Sequence, residues 1–224
     1  MRSLKALLLV AVTVIGSTAL LLAQDPVKVD PTHYKMLIDN AAVRVLRISY
    51  APGSKSVMHE HPDSVVVVLN GGKTTFTTPD GKSQEQDMPA NSALYLPAGK
   101  HLPSNTGTAP NLAILVEFKT AAPGKAALPS SRPGMTLTPL AEGPRATTYK
   151  ATAATTFSEP AGTKHDFDQV IIALAPTQMS LSIDGKPAKT TWAKGDVEFI
   201  GRGVAHESKN VGSKPTEFAI VAIK

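Results

Sequence analysis

A set of short motifs recurs about one hundred residues further along the chain, and that recurrence most restricts its fold. Asp80-Gly-Lys82 returns as Asp184-Gly-Lys186, and Pro97-x-Gly99 as Gly201-x-Gly203, both at an offset of 104. His101-x-x-x-Asn105-x-Gly107 returns as His206-x-x-x-Asn210-x-Gly212 at an offset of 105. The closing segments Pro110–Lys119 and Pro215–Lys224 keep that second offset, so one inserted residue between Gly203 and His206 accounts for the slip. Agreements this consistent argue for a tandem duplication, each copy forming one structural unit.

Each unit reads as all-β. In the first, the apolar or alternating runs Val43–Ile48, Val65–Leu69, Thr74–Thr77, Ala93–Leu96 and Leu112–Phe118 are separated by turn signals such as Ala-Pro-Gly53, Asn70-Gly-Gly and Pro79-Asp-Gly81. Short strands punctuated in this way predict a sandwich or barrel. No part of the chain after its leader sustains a helical period. Ala121–Pro144 is rich in Pro, Gly, Ala and Ser and reads as a linker or extended crossover. The expected organisation is therefore a barrel over residues 34–122, a linker over 123–140 and a second barrel over 141–224.

Residues 1–23 have the order of a secretory leader: Arg2 and Lys5, an apolar run from Ala6 to Ala23, then Gln24-Asp25-Pro26. The run is also about long enough to span a bilayer, so an uncleaved anchor stays open, and with it membrane attachment through this segment alone. Either way the remainder is expected to be exported, periplasmic or secreted. The chain has no cysteine. That excludes a lipid-anchored cysteine, a disulfide framework and thiolate metal ligands. The net charge is +5, but the lysines are scattered singly, with no basic cluster interleaved with aromatics, so a nucleic-acid partner is not expected. The expected partner is a small molecule, with a homo-oligomer left open.

Five of the six histidines fall inside the two repeats. His59 and His61 stand two apart in Gly53-Ser-Lys-Ser-Val-Met-His59-Glu-His61, and side chains two apart on a strand share a face. His101, delivered from a later strand, can complete a set of three imidazoles around one divalent ion.

These residues resemble those of the cupins, small double-stranded β-helix barrels. Gly53, His59, His61 and Gly71 or Gly72 match the first cupin motif. Asn91, Pro97, Gly99, His101 and Asn105 match the second, with Asn91 in place of its opening glycine. In the second copy Gly195, Gly203, His206 and Asn210 match the second motif, so the chain resembles a bicupin. The resemblance implies two tandem barrels and a divalent metal (Fe, Mn, Zn or Ni) on His59, His61 and His101. Where cupins place a ligating glutamate, this chain has Val65 or Val66. Some cupin dioxygenases with all-histidine iron sites, the thiol dioxygenases and acetylacetone dioxygenase among them, also lack it.

Asp63 shares the parity of His59 and His61, but Pro62 can break that parity. Asp63 is read as a surface turn carboxylate, an orienting partner of an imidazole, or a ligand. Glu117, in the apolar strand Leu112–Phe118, must find a partner, either as a pocket acid or in a salt bridge to Arg44 or Arg47. In the second copy only His165 and His206 remain, with Asp166 and Asp168 nearby, and that barrel is expected to have lost its site. His33 is expected at the surface and Trp192 in packing. Asn105 and Asn210 are expected to fix turns, and Asn91 and Gly195 to occupy positions of positive φ. No nucleophile elbow, phosphate loop or dinucleotide fingerprint is present. Two readings of function follow: a metal-dependent oxygenase, isomerase or lyase acting on a small polar substrate, or a non-catalytic small-ligand-binding protein, with or without metal.

Overall fold

A computed structural model describes residues 24–120 and 131–224. The leader expected over residues 1–23 lies outside the described residues, and so does the first part of the expected linker. Among the described residues no helix is long and apolar enough to cross a membrane. After one short helix, α1 (Pro26–Val29), the described chain is built from strands.

The first half holds β1 (Tyr34–Asp39), β2 (Val43–Tyr50), β3 (His59–His61), β4 (Ser64–Asn70), β5 (Gly72–Thr77), β6 (Ser83–Met88), β7 (Ala93–Leu96), β8 (Gly99–Asn105) and β9 (Asn111–Phe118). They form a five-stranded sheet ordered β1-β2-β9-β4-β7 and a four-stranded sheet ordered β3-β8-β5-β6. The second half runs through β10 (Ser131–Arg132), β11 (Met135–Glu142), β12 (Ala146–Ala153), β13 (Ser158–Thr163), β14 (Asp168–Ala173), β15 (Thr177–Ile183), β16 (Lys186–Trp192), β17 (Val197–Ile200), β18 (His206–Asn210) and β19 (Thr216–Ile223). Its sheets are ordered β10-β11-β12-β19-β14-β17 and β13-β18-β15-β16. Setting aside β10, the order of each sheet in one half maps strand for strand onto the other.

The run Ser64–Leu69 is buried residue after residue because both faces of β4 are covered. Val65, Val67 and Leu69 join Val43, Val45, Ile114 and Val116 in a cluster that also contains Val170, Ile172, Ala219 and Val221 of the second half. The two larger sheets thus pack against each other. The alternate residues Val66 and Val68 face the interior of the first barrel with Leu46, Tyr50 and Leu115. Of the two valines at the expected glutamate position, Val66 therefore borders the first barrel's interior and Val65 belongs to the core between barrels.

The two Asp-Gly pairs both lie between hairpin strands, but in different turns. Asp184 and Gly185 both have positive φ and form a two-residue connection between Ile183 and Lys186. The first hairpin closes at Thr77 and Ser83 through a longer loop, in which Gly81 alone has positive φ. Asn91 and Gly195 have φ of 62° and 81°, as the turn before β7 and β17 requires. Asn105 Nδ2 donates to the Tyr50 and Ala109 carbonyls while its Oδ1 accepts from Gly107 N. Asn210 does the same with Ala153, Lys214 and Gly212. Trp192 is buried, its Nε1 donating to the Met179 carbonyl.

The linker expectation extends too far. Residues 131–140 contain β10 and most of β11, and β11 pairs with β12 along its length. Pro139 is accommodated at a register irregularity between Pro139 and Ala141, a place where a missing N–H costs no ladder bond.

Candidate metal centre

β3 and β8 are neighbours at one side of the smaller sheet, with His59 directly opposite His101 and His61 opposite Gly99. This register brings the three imidazoles together inside the barrel. The ring centroids of His59 and His61 are 4.8 Å apart, and that of His101 lies 5.1 and 5.2 Å from them. One ring nitrogen from each falls within 4.8 Å of the others. His59 and His61 are buried, and His101 is half-buried against Phe76.

Hydrogen bonding at the outer nitrogens sets the tautomers. His59 Nδ1 lies 2.8 Å from the Val57 carbonyl, which can only accept, so Nδ1 carries the proton. His61 Nδ1 lies 2.7 Å from Glu117 Oε1 and donates to that carboxylate. Both Nε2 atoms therefore turn inward, and they stand 3.0 Å apart. Two bare lone pairs at this distance would repel, so a proton or a cation belongs between them. Two nitrogens bound at right angles to one ion at ~2.0–2.2 Å each stand about 3 Å apart, the same separation. The donor set fits a divalent ion of the imidazole-preferring kind.

The surroundings keep His59 and His101 neutral. Burial, then the neighbouring His61, pushes His59 down to about 4. Burial, then His61 and His59, pushes His101 down to about 3. Burial would raise the Glu117 carboxyl, but its bonds to His61 and Arg44 outweigh it and leave the carboxylate ionised. Arg44 lies opposite Glu117 in the β2–β9 register and bridges it to Asp25. Of the two roles open to it in the sequence Glu117 takes the salt bridge, to Arg44, and not that of a cavity acid; it also orients His61, a role the sequence offered to Asp63. Arg47 instead donates to the Gly195 carbonyl across the barrel interface.

Sequence reasoning did not find Tyr34. It is buried at the start of β1, and its hydroxyl lies 2.9 Å from His59 Nε2. Tyr50 donates to the Tyr34 oxygen at 3.0 Å, so the proton of Tyr34 points at the histidine cluster. Burial, with Tyr50 beside it, raises the Tyr34 pKa well above its usual value and keeps that proton in place. Behind it, His33 is not a surface residue: it stacks on Tyr50 at 4.5 Å and bonds Asp30 at 2.8 Å. The local segment Asp30-Pro-Thr-His33 turns this ring back onto β2, where the aromatic face covers it. No local signal marked Tyr34, since β1 pairs with β2 in the larger sheet and the phenol meets His59 of the smaller sheet across the barrel.

Asp63 lies outside the cluster. It accepts from Ala98 N at 2.8 Å and from the Tyr95 hydroxyl at 3.1 Å, so it fixes the turn before β8.

The second barrel also gathers three groups, Glu159, His165 and His206. The sequence reading anticipated two imidazoles with Asp166 or Asp168, and Glu159 was missed. Lys55 pairs with Ser104 in the first half and Ser158 with Lys209 in the second, so Glu159 stands where the first half has Ser56. The repeat therefore concealed it. Glu159 accepts from Arg132 and from Ser208, with His206 Nε2 at 3.5 Å. Burial alone would push His206 down, but the Glu159 carboxylate and the Val204 carbonyl outweigh it and the pKa is raised. Asp168 caps the Arg202 amide instead.

The interiors differ as well. The first barrel contains a cavity of about 300 Å³ that reaches His61 and His101, and the second one of about 40 Å³. The register aligns Met88 with Trp192 and Ala113 with Phe218. Trp192 and Phe218 meet edge to face at 5.3 Å and fill the second interior.

No family model matches the chain, and no curated protein matches it in sequence. Solved structures do. A cupin 2 conserved barrel domain protein from Leptotrichia buccalis matches with a TM-score of 0.55 and 13% identity, over 85% of this chain and 88% of its own. A salicylate 1,2-dioxygenase from Pseudaminobacter salicylatoxidans matches with a TM-score of 0.62 and 9% identity, over 84% and 75%. An oxalate decarboxylase from Bacillus subtilis matches with a TM-score of 0.57 and 10% identity, over 84% and 74%. At these identities the likeness is one of fold.

Proposed function

This chain has the two-barrel fold of the cupins, and on that premise we propose that its first barrel is the centre of a metal-dependent enzyme acting on a small molecule. His59, His61 and His101 would hold one divalent ion, with the second barrel as a supporting unit without one. The observation that carries this reading is the pair of Nε2 atoms 3.0 Å apart, each turned inward by the hydrogen bond its own Nδ1 makes. An ion there supplies a Lewis acid with positions free for substrate or water.

The residues around it have separable tasks. Glu117 fixes the ring of His61 and is itself held by Arg44, which also pairs with Asp25. Tyr34 keeps its proton at the hydroxyl beside His59 Nε2, where it can donate a hydrogen bond to an oxygen atom of a bound molecule, and Tyr50 stands behind it as a second donor. The cavity beside the imidazoles and the inward-facing phenol favour turnover over simple ligand storage. The leader pattern of residues 1–23 supports placing the protein outside the cytoplasm.

Elemental analysis of the full mature chain, purified without a chelating tag, tests the reading. The expected result is about one divalent ion per chain, and a Glu117→Gln variant that binds it about 10–100-fold more weakly in chelator competition. A metal-free wild-type protein that takes up no added Zn, Mn, Fe or Ni would overturn it.

A further inference from the structure

The chemistry of the cavity points to its ligand. The sequence reading expects a small polar substrate, but the inward residues of β2, β4, β7 and β9 include Ile48, Val66, Val68, Leu94, Leu96 and Leu115, and all of them line the cavity. Phe76 and Met88 close it from the smaller sheet. Several of these side chains, Ile48, Leu94 and Leu96 among them, are only half-buried although strand alternation aims them into the barrel. They face space within the barrel, and not packed protein. That space, about 300 Å³, equals roughly ten water molecules at ~30 Å³ each and lies at the lower end of sites that enclose whole small molecules.

Charge defines the other end. Three neutral imidazoles leave a divalent ion with its full double charge, since no ligand among them is an anion. Glu117 stands behind His61 and outside the cavity, on an arginine, Arg44, that it shares with Asp25. Neither Asp nor Glu lines the cavity, and its one lysine, Lys100, is paired with Glu60. An anionic oxygen group is the partner such an ion lacks in a low-dielectric surround.

Resting on the metal reading above, we propose that the ligand is a small molecule with an apolar body, alkyl or aryl, ending in one anionic oxygen-donor head that binds the ion. Ala113 is the residue that permits this. It lines the cavity, and its counterpart in the filled barrel is Phe218.

The test uses the zinc-loaded full-length mature chain and a series of hydroxamates, monoanionic oxygen chelators, from acetohydroxamate to octanohydroxamate, with benzohydroxamate as the aryl arm. Affinity measured by calorimetry is expected to rise about fourfold for each methylene buried, until the space is full. A steeper gain for the alkyl or for the aryl member tells which body the cavity suits. The variant Ala113→Phe should keep its zinc and lose the dependence on chain length. Zinc retained, with all hydroxamates binding equally or with glycolohydroxamate tightest, would overturn the ligand class and leave the metal reading intact. Failure to hold zinc would overturn the metal reading and the anionic head with it. In that event, stabilisation of the same protein against heat by 1-octanol and not by glycerol would uphold the apolar body, and no difference would overturn it.

Discussion

The two barrels share one strand plan and differ in what fills it. In the first, small residues such as Ala113 leave a cavity of about 300 Å³ ending at the cluster of three imidazoles. In the second, Trp192 and Phe218 occupy the same interior positions, and the space shrinks to about 40 Å³. The polar clusters differ in the same sense. The first barrel's cation, Arg44, stands behind Glu117 and away from the imidazoles' inner nitrogens. The second barrel's cation, Arg132, is bonded to Glu159 within the cluster itself. A divalent ion bound by Glu159 would sit beside that guanidinium. At ~5 Å and an effective dielectric of ~20 the repulsion is about 6–7 kcal/mol. Three groups within reach of one point are therefore not enough to make a metal site. The charge already present there decides whether they hold an ion or a proton.

The largest expected contrast is between His101 and His206, the same motif position in each barrel. His101→Ala should lose the bound ion, because two imidazoles do not hold it against water. His206→Ala should keep it and cost about 1 kcal/mol in denaturant unfolding for the bonds to Val204 and Glu159. Equal loss of metal from both variants would mean two ions or one shared between barrels, and the asymmetry would be gone.

Next is the contrast of filled and hollow interiors. Trp192→Ala should destabilise the chain by about 3–5 kcal/mol in urea unfolding, the range for a fully packed ring. Met88→Ala, at the matching position, faces space already open and should cost less than about 2 kcal/mol. If Met88→Ala costs as much as Trp192→Ala, the first barrel is packed and its cavity does not persist in solution.

The smallest effect is the pH dependence of the metal-stripped protein. Unfolded imidazoles take up protons near ~6.5. In the folded chain His59 does so only near about 4 and His101 near about 3. Between these values the unfolded chain binds more protons, so the first barrel's contribution to stability falls as pH drops through that window. His206 is raised, so its contribution is complete below ~6.5 and is lost as pH rises through its folded value. Denaturant midpoints measured from pH 4 to 8 should lose the decline toward higher pH in His206→Ala and retain the acid decline. Loss of the acid decline in that variant would contradict the assignment.

Much of the fold was legible because its signals are local. Gly and Pro turns bound strands such as Val43–Tyr50 and Ala93–Leu96, and the 104–105 offset aligns the halves. The histidine set was legible for the same reason, since alternation on β3 needs only adjacent residues. What the sequence concealed depends on distant pairing or on departure from the repeat. Tyr34 reaches His59 only because β1 pairs beside β2 at the sheet edge, and nothing near it in sequence resembles a site. Glu159 replaces a serine of the first copy, so comparison of the copies drew attention away from it. In Met135–Glu142 the density of Pro and Gly around an alternating strand outweighed the alternation. The filled second interior was within reach: the aligned closing segments already set Phe218 against Ala113.

The central claim is that one barrel holds an ion and its counterpart does not. Anomalous diffraction from crystals of the metal-loaded protein, collected on either side of the metal's absorption edge, tests it most directly. The account predicts one strong peak bounded by His59, His61 and His101, at ~2.0–2.2 Å from a nitrogen of each, and none between Glu159, His165 and His206. A peak of similar strength in the second cluster, or none in the first, would contradict it.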